Sequence, residues 1–174
     1  MTAFPTPGAA PDPGASYASL PRSVIDSQDM RWPIAGAADR RVLLVEDNEE
    51  HRYVYTRLLR RAGYQVDEAV TGADALALAR QAPPDIAVID LMLPDTDGWH
   101  VTSALKESPA TREIPIVVVT VRAFPGDHAK SKALGVARHL NKPASPFEVL
   151  SVVNELLGLG GHGTPTDGRP GASG

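Results

Sequence analysis

The chain has 174 residues, a size that closes around one hydrophobic core and leaves little for a second full domain. With 43% hydrophobic residues, 22% charged residues and a formal net charge of −4, it should fold as a globular protein with no general attraction to nucleic acid or anionic lipid. It contains no cysteine, which excludes a disulfide framework, a thiolate metal centre and a cysteine nucleophile.

Met1 to Leu20 has neither a basic start nor an apolar run, and no stretch reaches the roughly 20 apolar residues of a membrane span. The expectation is a cytoplasmic protein. Residues 1–38 are rich in Pro, Gly, Ala and Ser, with too little apolar surface to offset chain entropy, and are predicted to be a disordered tail. Trp32 and Ile34 stand near its end, and the plainer reading makes them isolated apolar residues rather than a patch docked on the domain.

From there to residue 158, short β-branched runs alternate with longer helical patterns, as in a parallel sheet covered by helices. Val42–Val45 opens the series and is followed by a helix from about Glu49 to Ala62, closed by Gly63. Gln65–Ala69 alternates like an edge strand and leads into a helix over Gly72–Gln81, stopped by Pro83 and Pro84. Ile86–Ile89 and Ile116–Val119 are wholly apolar, as central strands buried on both faces should be, and a helix over Gly98–Lys106 lies between them. A helix over Pro125–Leu134, a short strand over Ala137–Leu140 and a helix over Ser145–Leu157 complete the series. In that last helix Phe147, Leu150, Val153 and Leu157 form one apolar stripe, which Val149, Val152 and Leu156 broaden; either the helix is deeply buried or it also contacts a kinase or a second copy in a homodimer. Residues 159–174 return to the composition of the N-terminal tail and are predicted to be disordered.

Right-handed crossovers make this a doubly wound α/β domain spanning residues 39–158, whose ligands bind outside the carboxyl ends of the strands. At those ends stand Glu46 and Asp47, Asp90, Thr120 and Lys142. Singly, each has a structural explanation: Asp47 or Asn48 as a helix cap, Asp90 in a turn, Thr120 as a strand former, Lys142 in solvent. Together they crowd three carboxylates on one rim, an arrangement a hard divalent cation with oxygen ligands relieves, and Mg²⁺ is the first candidate. A carboxylate beside such an ion can attack phosphorus, while Lys142 and the Thr120 hydroxyl neutralise and position the transferred oxygens.

Val45-Glu46-Asp47-Asn48, Asp90-Leu91-Met92-Leu93-Pro94-Asp95-Thr96-Asp97-Gly98, Thr120 and Lys142-Pro143 resemble the response-regulator receiver domain of two-component signalling. The resemblance implies a flavodoxin-like (βα)5 three-layer sandwich with strand order 2-1-3-4-5, and a cis peptide before Pro143. It implies Asp90 as phosphoacceptor, Glu46, Asp47, Asp90 and the Met92 carbonyl as Mg²⁺ ligands, Thr120 as the switch hydroxyl and Lys142 as the partner of the acyl phosphate. A sensor histidine kinase or a histidine phosphotransfer protein would supply the phosphoryl group. The chain would then be a stand-alone regulator, not an enzyme with an external substrate, acting through a downstream protein with no nucleic-acid or membrane contact.

Three positions depart from the family pattern. Val121 replaces a small residue after the switch Thr and would crowd the phosphoryl site; His139 replaces the usual Tyr or Phe of the switch; Asp95 stands where Gly is common, in a loop expected to tolerate it. Other readings fit less well. A phosphatase of the haloacid dehalogenase type expects a second Asp where Met92 stands, and a flavodoxin-like cofactor binder expects a phosphate loop after the first strand. A receiver-fold scaffold without phosphorylation remains the alternative.

Overall fold

The computed structural model describes residues 33–121 and 125–159. The chain runs β1 (Arg41–Val45), α1 (Glu49–Arg61), β2 (Gln65–Ala69), α2 (Gly72–Gln81), β3 (Ile86–Ile89), α3 (Gly98–Glu107), β4 (Ile116–Thr120), α4 (Pro125–Ala133), β5 (Arg138–Asn141) and α5 (Pro146–Leu156). All strand pairings are parallel and the order is β2-β1-β3-β4-β5. Every predicted element is present, with ends displaced by no more than a residue or so. The apolar runs Val42–Val45, Ile86–Ile89 and Ile116–Val119 occupy the three central strands and are buried, whereas β2 alternates at the edge.

Side chains pointing to one face of the sheet, among them Val42, Leu44, Val88 and Val117, pack with Leu58 and Leu59 of α1 and Val149, Leu150 and Val153 of α5. The opposite face, with Leu43, Val45, Ala87 and Ile89, packs on Ala75 and Ala79 of α2 and Val101 and Leu105 of α3. Two helix layers thus enclose one sheet. The alanines on α2 follow from this geometry, since small side chains let a helix lie close to a flat apolar surface.

Helix boundaries follow local chemistry. Asn48, Thr71, Asp97 and Ser145 cap α1, α2, α3 and α5 by accepting a hydrogen bond from the first turn. Gly63 leaves α1 with φ of 104°, a left-handed conformation that side chains with a Cβ resist, so the chain reverses there directly into β2.

Ile34 differs from its predicted isolation. Its N–H donates to the Ala62 carbonyl at 2.8 Å and its side chain packs against the α1–α5 core, while Ala37 is fully buried there. The described chain therefore joins the domain at the end of α1. Trp32 lies outside the described residues. Leu159 packs on the same core, and Phe147, Val152 and Leu156 of α5, with Leu157 just after it, are only partly buried against it.

Candidate functional site

Parallel register brings the carboxyl ends of the strands to one rim. Val45 pairs with Ile89, Ile89 with Val118 and Thr120 with Asn141, so the residues that follow β1, β3 and β5 come together beside Thr120. Glu46, Asp90 and Thr120 are buried there, and Asp47 is exposed. Asn48 takes the capping role, accepting from the His51 N–H at 3.0 Å, which leaves the Asp47 carboxylate facing the cleft rather than the helix. Arg52 donates to the backbone carbonyls of both Glu46 and Asp47, at 3.0 and 3.1 Å, and so pins the acidic pair where it leaves β1.

Lys142 is the centre of the polar network. Its Nζ donates to Glu46 Oε2 at 2.7 Å and to Asp90 Oδ2 at 2.5 Å, with all three side chains nearly removed from solvent. The following Lys142–Pro143 peptide is cis, as expected. Tyr55 donates to the Ala144 carbonyl at 3.2 Å and ties α1 to this loop; burial, with the Glu46 and Asp90 charges, holds its phenol well above the usual range. Burial also raises the Glu46 carboxyl, and the neighbouring Asp90 adds to this, while Lys142 opposes it through hydrogen bonding and charge.

The loop after β3 is shaped tightly around Asp90. Its Oδ1 accepts from the Met92 N–H at 3.0 Å, Gly98 N–H donates to the Leu91 carbonyl at 2.9 Å, and a bridge joins Met92 to Asp97. A Cβ on Gly98 would lie 2.3 Å from the Asp90 carbonyl oxygen, so no other residue fits without moving the backbone of Asp90. The Met92 side chain is exposed while its backbone turns inward.

Asp95 is not a tolerated substitution in a loose loop. Its carboxylate accepts from the backbone N–H groups of Gly72 and Ala73 at 2.9 and 3.0 Å, occupying the N-terminus of α2 from another segment of the chain. These two hydrogen bonds lower its pKa. Sequence gave a hint only through residue type, since an acid suits a helix start, but the helix it serves is 22 residues away.

His139 occupies β5 with its ring edge-on to Trp99, centroids 6.3 Å apart, and its Nδ1 lies 3.0 Å from the hydroxyl of Ser131 in α4. Val121 is 63% exposed and lines the acidic cleft. His51 was not singled out from sequence; its Nδ1 lies 3.6 Å from Glu46 Oε1.

Glu46, Asp47 and Asp90 each offer an oxygen, and these oxygens lie within 4.8 Å of one another. Three formal negative charges meet one ammonium, and every donor is a hard oxygen, so the cluster suits a divalent cation such as Mg²⁺.

Comparison with known proteins decides the family. The profile of the response regulator receiver domain matches residues 42–154. The chain belongs to this family. Protein PilH of Pseudomonas aeruginosa is 33% identical over 117 residues, which cover 67% of this chain and 97% of that protein. Chemotaxis response regulator CheY4 of Vibrio cholerae superposes with a TM-score of 0.63 at 29% identity, covering 67% of this chain and 98% of that one. The receiver domain of the sensor histidine kinase PA1611 from P. aeruginosa, solved with a magnesium ion coordinated in its active site cleft, gives a TM-score of 0.62 at 29% identity, covering 68% of this chain and 98% of that domain. The chain is thus a receiver domain of two-component signalling, a signalling phosphoacceptor by family. No helix among the described residues is long and apolar enough to cross a membrane.

Proposed function

We propose that this receiver takes a phosphoryl group on Asp90 from a histidine kinase or histidine phosphotransfer protein in the cytoplasm, in a Mg²⁺-dependent reaction. Its signal is then passed on by contact with another protein. The observation that carries the reading is the bridge from Lys142 Nζ to both Glu46 and Asp90, beside the exposed carboxylate of Asp47.

In this reading a carboxylate oxygen of Asp90 bonds to phosphorus as the bond to the donor's imidazole nitrogen breaks, and the electron pair leaves with the imidazole. The Met92 N–H and Lys142 fix the Asp90 carboxylate at both oxygens, so little reorientation is needed before attack. Lys142 then pairs with the phosphoryl oxygens, and the Thr120 hydroxyl, at the end of β4, moves toward them. Mg²⁺ held by Glu46, Asp47, Asp90 and the Met92 carbonyl supplies charge neutralisation for the crowded acids and the incoming group. Hydrolysis of its own aspartyl phosphate returns the domain to the starting state.

To test this, the full chain is incubated with acetyl phosphate and Mg²⁺ and its intact mass is measured. One acid-stable, hydroxylamine-labile phosphoryl adduct is expected on the wild type and none on Asp90→Asn. An adduct on the variant, or none on the wild type with every small-molecule and protein donor, overturns the assignment. The second outcome would favour a scaffold with altered switching, a reading supported by the Ser131 contact that holds His139 at the switch position.

A further inference from the structure

Helix α1 holds both sides of the charged site. From Arg52 it reaches the Glu46 and Asp47 carbonyls at 3.0 and 3.1 Å, and one turn on, from Tyr55, it reaches the Ala144 carbonyl at 3.2 Å. Residues at i and i+3 lie on one face of a helix, so a single rigid element sets the spacing between the acidic end of β1 and the loop that carries Lys142. Tyr55 is 4% exposed, and an apolar side chain would fill the same space without a hydroxyl to satisfy, so packing alone does not call for a phenol there. Burial, with the Glu46 and Asp90 charges, keeps this phenol protonated, and it remains a donor.

Lys142 needs such an anchor. A lysine stem is flexible, and in the resting site Nζ is fixed by Glu46 Oε2 at 2.7 Å and Asp90 Oδ2 at 2.5 Å. In the proposed transfer the ammonium shifts from Asp90 to the phosphoryl oxygens, so it gives up one of these partners as the reaction proceeds. The backbone then decides where the charge sits. On one side the Lys142 N–H donates to the Thr120 carbonyl at 2.9 Å, and on the other Tyr55 holds Ala144. A cavity of about 60 Å³, bordered by Val54, Pro143 and Pro146, lies between α1 and this loop. Packing therefore leaves the loop room to shift, and the Tyr55 hydrogen bond, which tolerates only small displacements, opposes that shift.

We infer that Tyr55 is a positioning residue for phosphoryl transfer: through the Ala144 carbonyl, its hydroxyl fixes the loop from which Lys142 meets the transferred oxygens. The inference rests on Asp90 as the acceptor. Tyr55 itself neither touches the phosphoryl group nor moves a proton.

Tyr55→Phe removes only the hydroxyl, and Tyr64→Phe is its matched control. Tyr64 is 3% exposed in the same core and donates to Asn154 Oδ1 at 2.6 Å, just before the start of β2 and so away from the carboxyl rim. With the full chain, acetyl phosphate and saturating Mg²⁺, the initial rate of adduct formation is read by intact mass. It should fall about tenfold in Tyr55→Phe and stay within about twofold of wild type in Tyr64→Phe. In the Lys142→Ala chain, adding Tyr55→Phe should change the rate by less than about twofold, because the group it positions is gone. Brief treatment of the unphosphorylated chain with acetic anhydride, followed by peptide mass mapping, should acetylate Lys142 about threefold faster in Tyr55→Phe than in wild type, with the exposed Lys130 as the unchanged reference. Equal transfer rates for wild type and Tyr55→Phe, equal slowing by Tyr64→Phe, slowing that persists in the Lys142→Ala chain, or unaltered labelling of Lys142 would each overturn the inference while leaving Asp90 as acceptor. No adduct on the wild type with any small-molecule or protein donor would defeat the Asp90 assignment and this inference with it.

Discussion

At the scale of single residues, the site is a balance of three carboxylates against one ammonium, and the two kinds of charge have different tasks. Lys142 is nearly buried between Glu46 and Asp90, so its loss leaves two acids facing each other in a region poor in water. Lys142→Ala should therefore lower stability in chelator-containing buffer by about 3 kcal/mol, a fall of roughly 10 °C in melting temperature. Mg²⁺ should recover much of that loss, because binding to the folded state stabilises it in proportion to the logarithm of metal concentration over Kd. Asp47 behaves differently. It is exposed and does not pair with Lys142, so Asp47→Ala should leave the metal-free melting temperature nearly unchanged while weakening Mg²⁺ binding by roughly ten- to a hundredfold. Calorimetric metal titration beside thermal melts in chelator distinguishes the two effects; equal Mg²⁺ affinity for wild type and Asp47→Ala would remove Asp47 from the metal site.

At the scale of elements, strands and helices were legible because their physics is local: β-branched runs buried on both faces, capping residues, and glycine or proline at the stops. The convergence of Glu46, Asp90, Thr120 and Lys142 was legible for the same reason, since in a parallel sheet a residue's place after a strand fixes which rim it reaches. Contacts between segments left no such trace. Asp95 caps α2 across 22 residues, and Ser131 holds His139 from the preceding helix; neither spacing has a periodic signature. The Asp95 clamp links the loop that carries Asp90 and Met92 to the start of α2, so it also steadies the site. Because hydrogen bonds from Gly72 and Ala73 lower the Asp95 pKa below its ordinary 3.8, its contribution is present above that value and is lost as pH falls through the lowered pKa. Amide exchange at Gly72 and Ala73 should accordingly be slower in wild type than in Asp95→Ala at neutral pH, with the difference closing below about pH 3.8. A difference that persisted unchanged in acid would mean the carboxylate is not the acceptor that matters.

At the scale of the whole molecule, the edge of the folded unit was the feature composition described least well. A stretch rich in Pro, Gly and Ala reads as tail when its average is taken, yet two apolar residues within it suffice to tie the backbone down. Ala37 is fully buried and Ile34 packs on the core shared by α1 and α5, where Leu159 arrives from the opposite end of the chain. The two flanks of the domain therefore meet at one place, beneath the ends of α1 and α5, and removing one should weaken the seat of the other. Deleting residues 1–22 should leave the melting temperature within a degree or two, because the cut spares Ile34 and its contacts with the core. Deleting residues 1–36 removes the Ile34 side chain and its hydrogen bond to Ala62, a loss of about 1–2 kcal/mol and roughly 4–10 °C in melting temperature. The single change Ile34→Ala should reproduce much of the larger effect, since the partly buried side chain and not the length of the tail carries it. If the two deletions melted together, Ile34 would contribute nothing to the domain, and its contact with the core would be incidental to the fold.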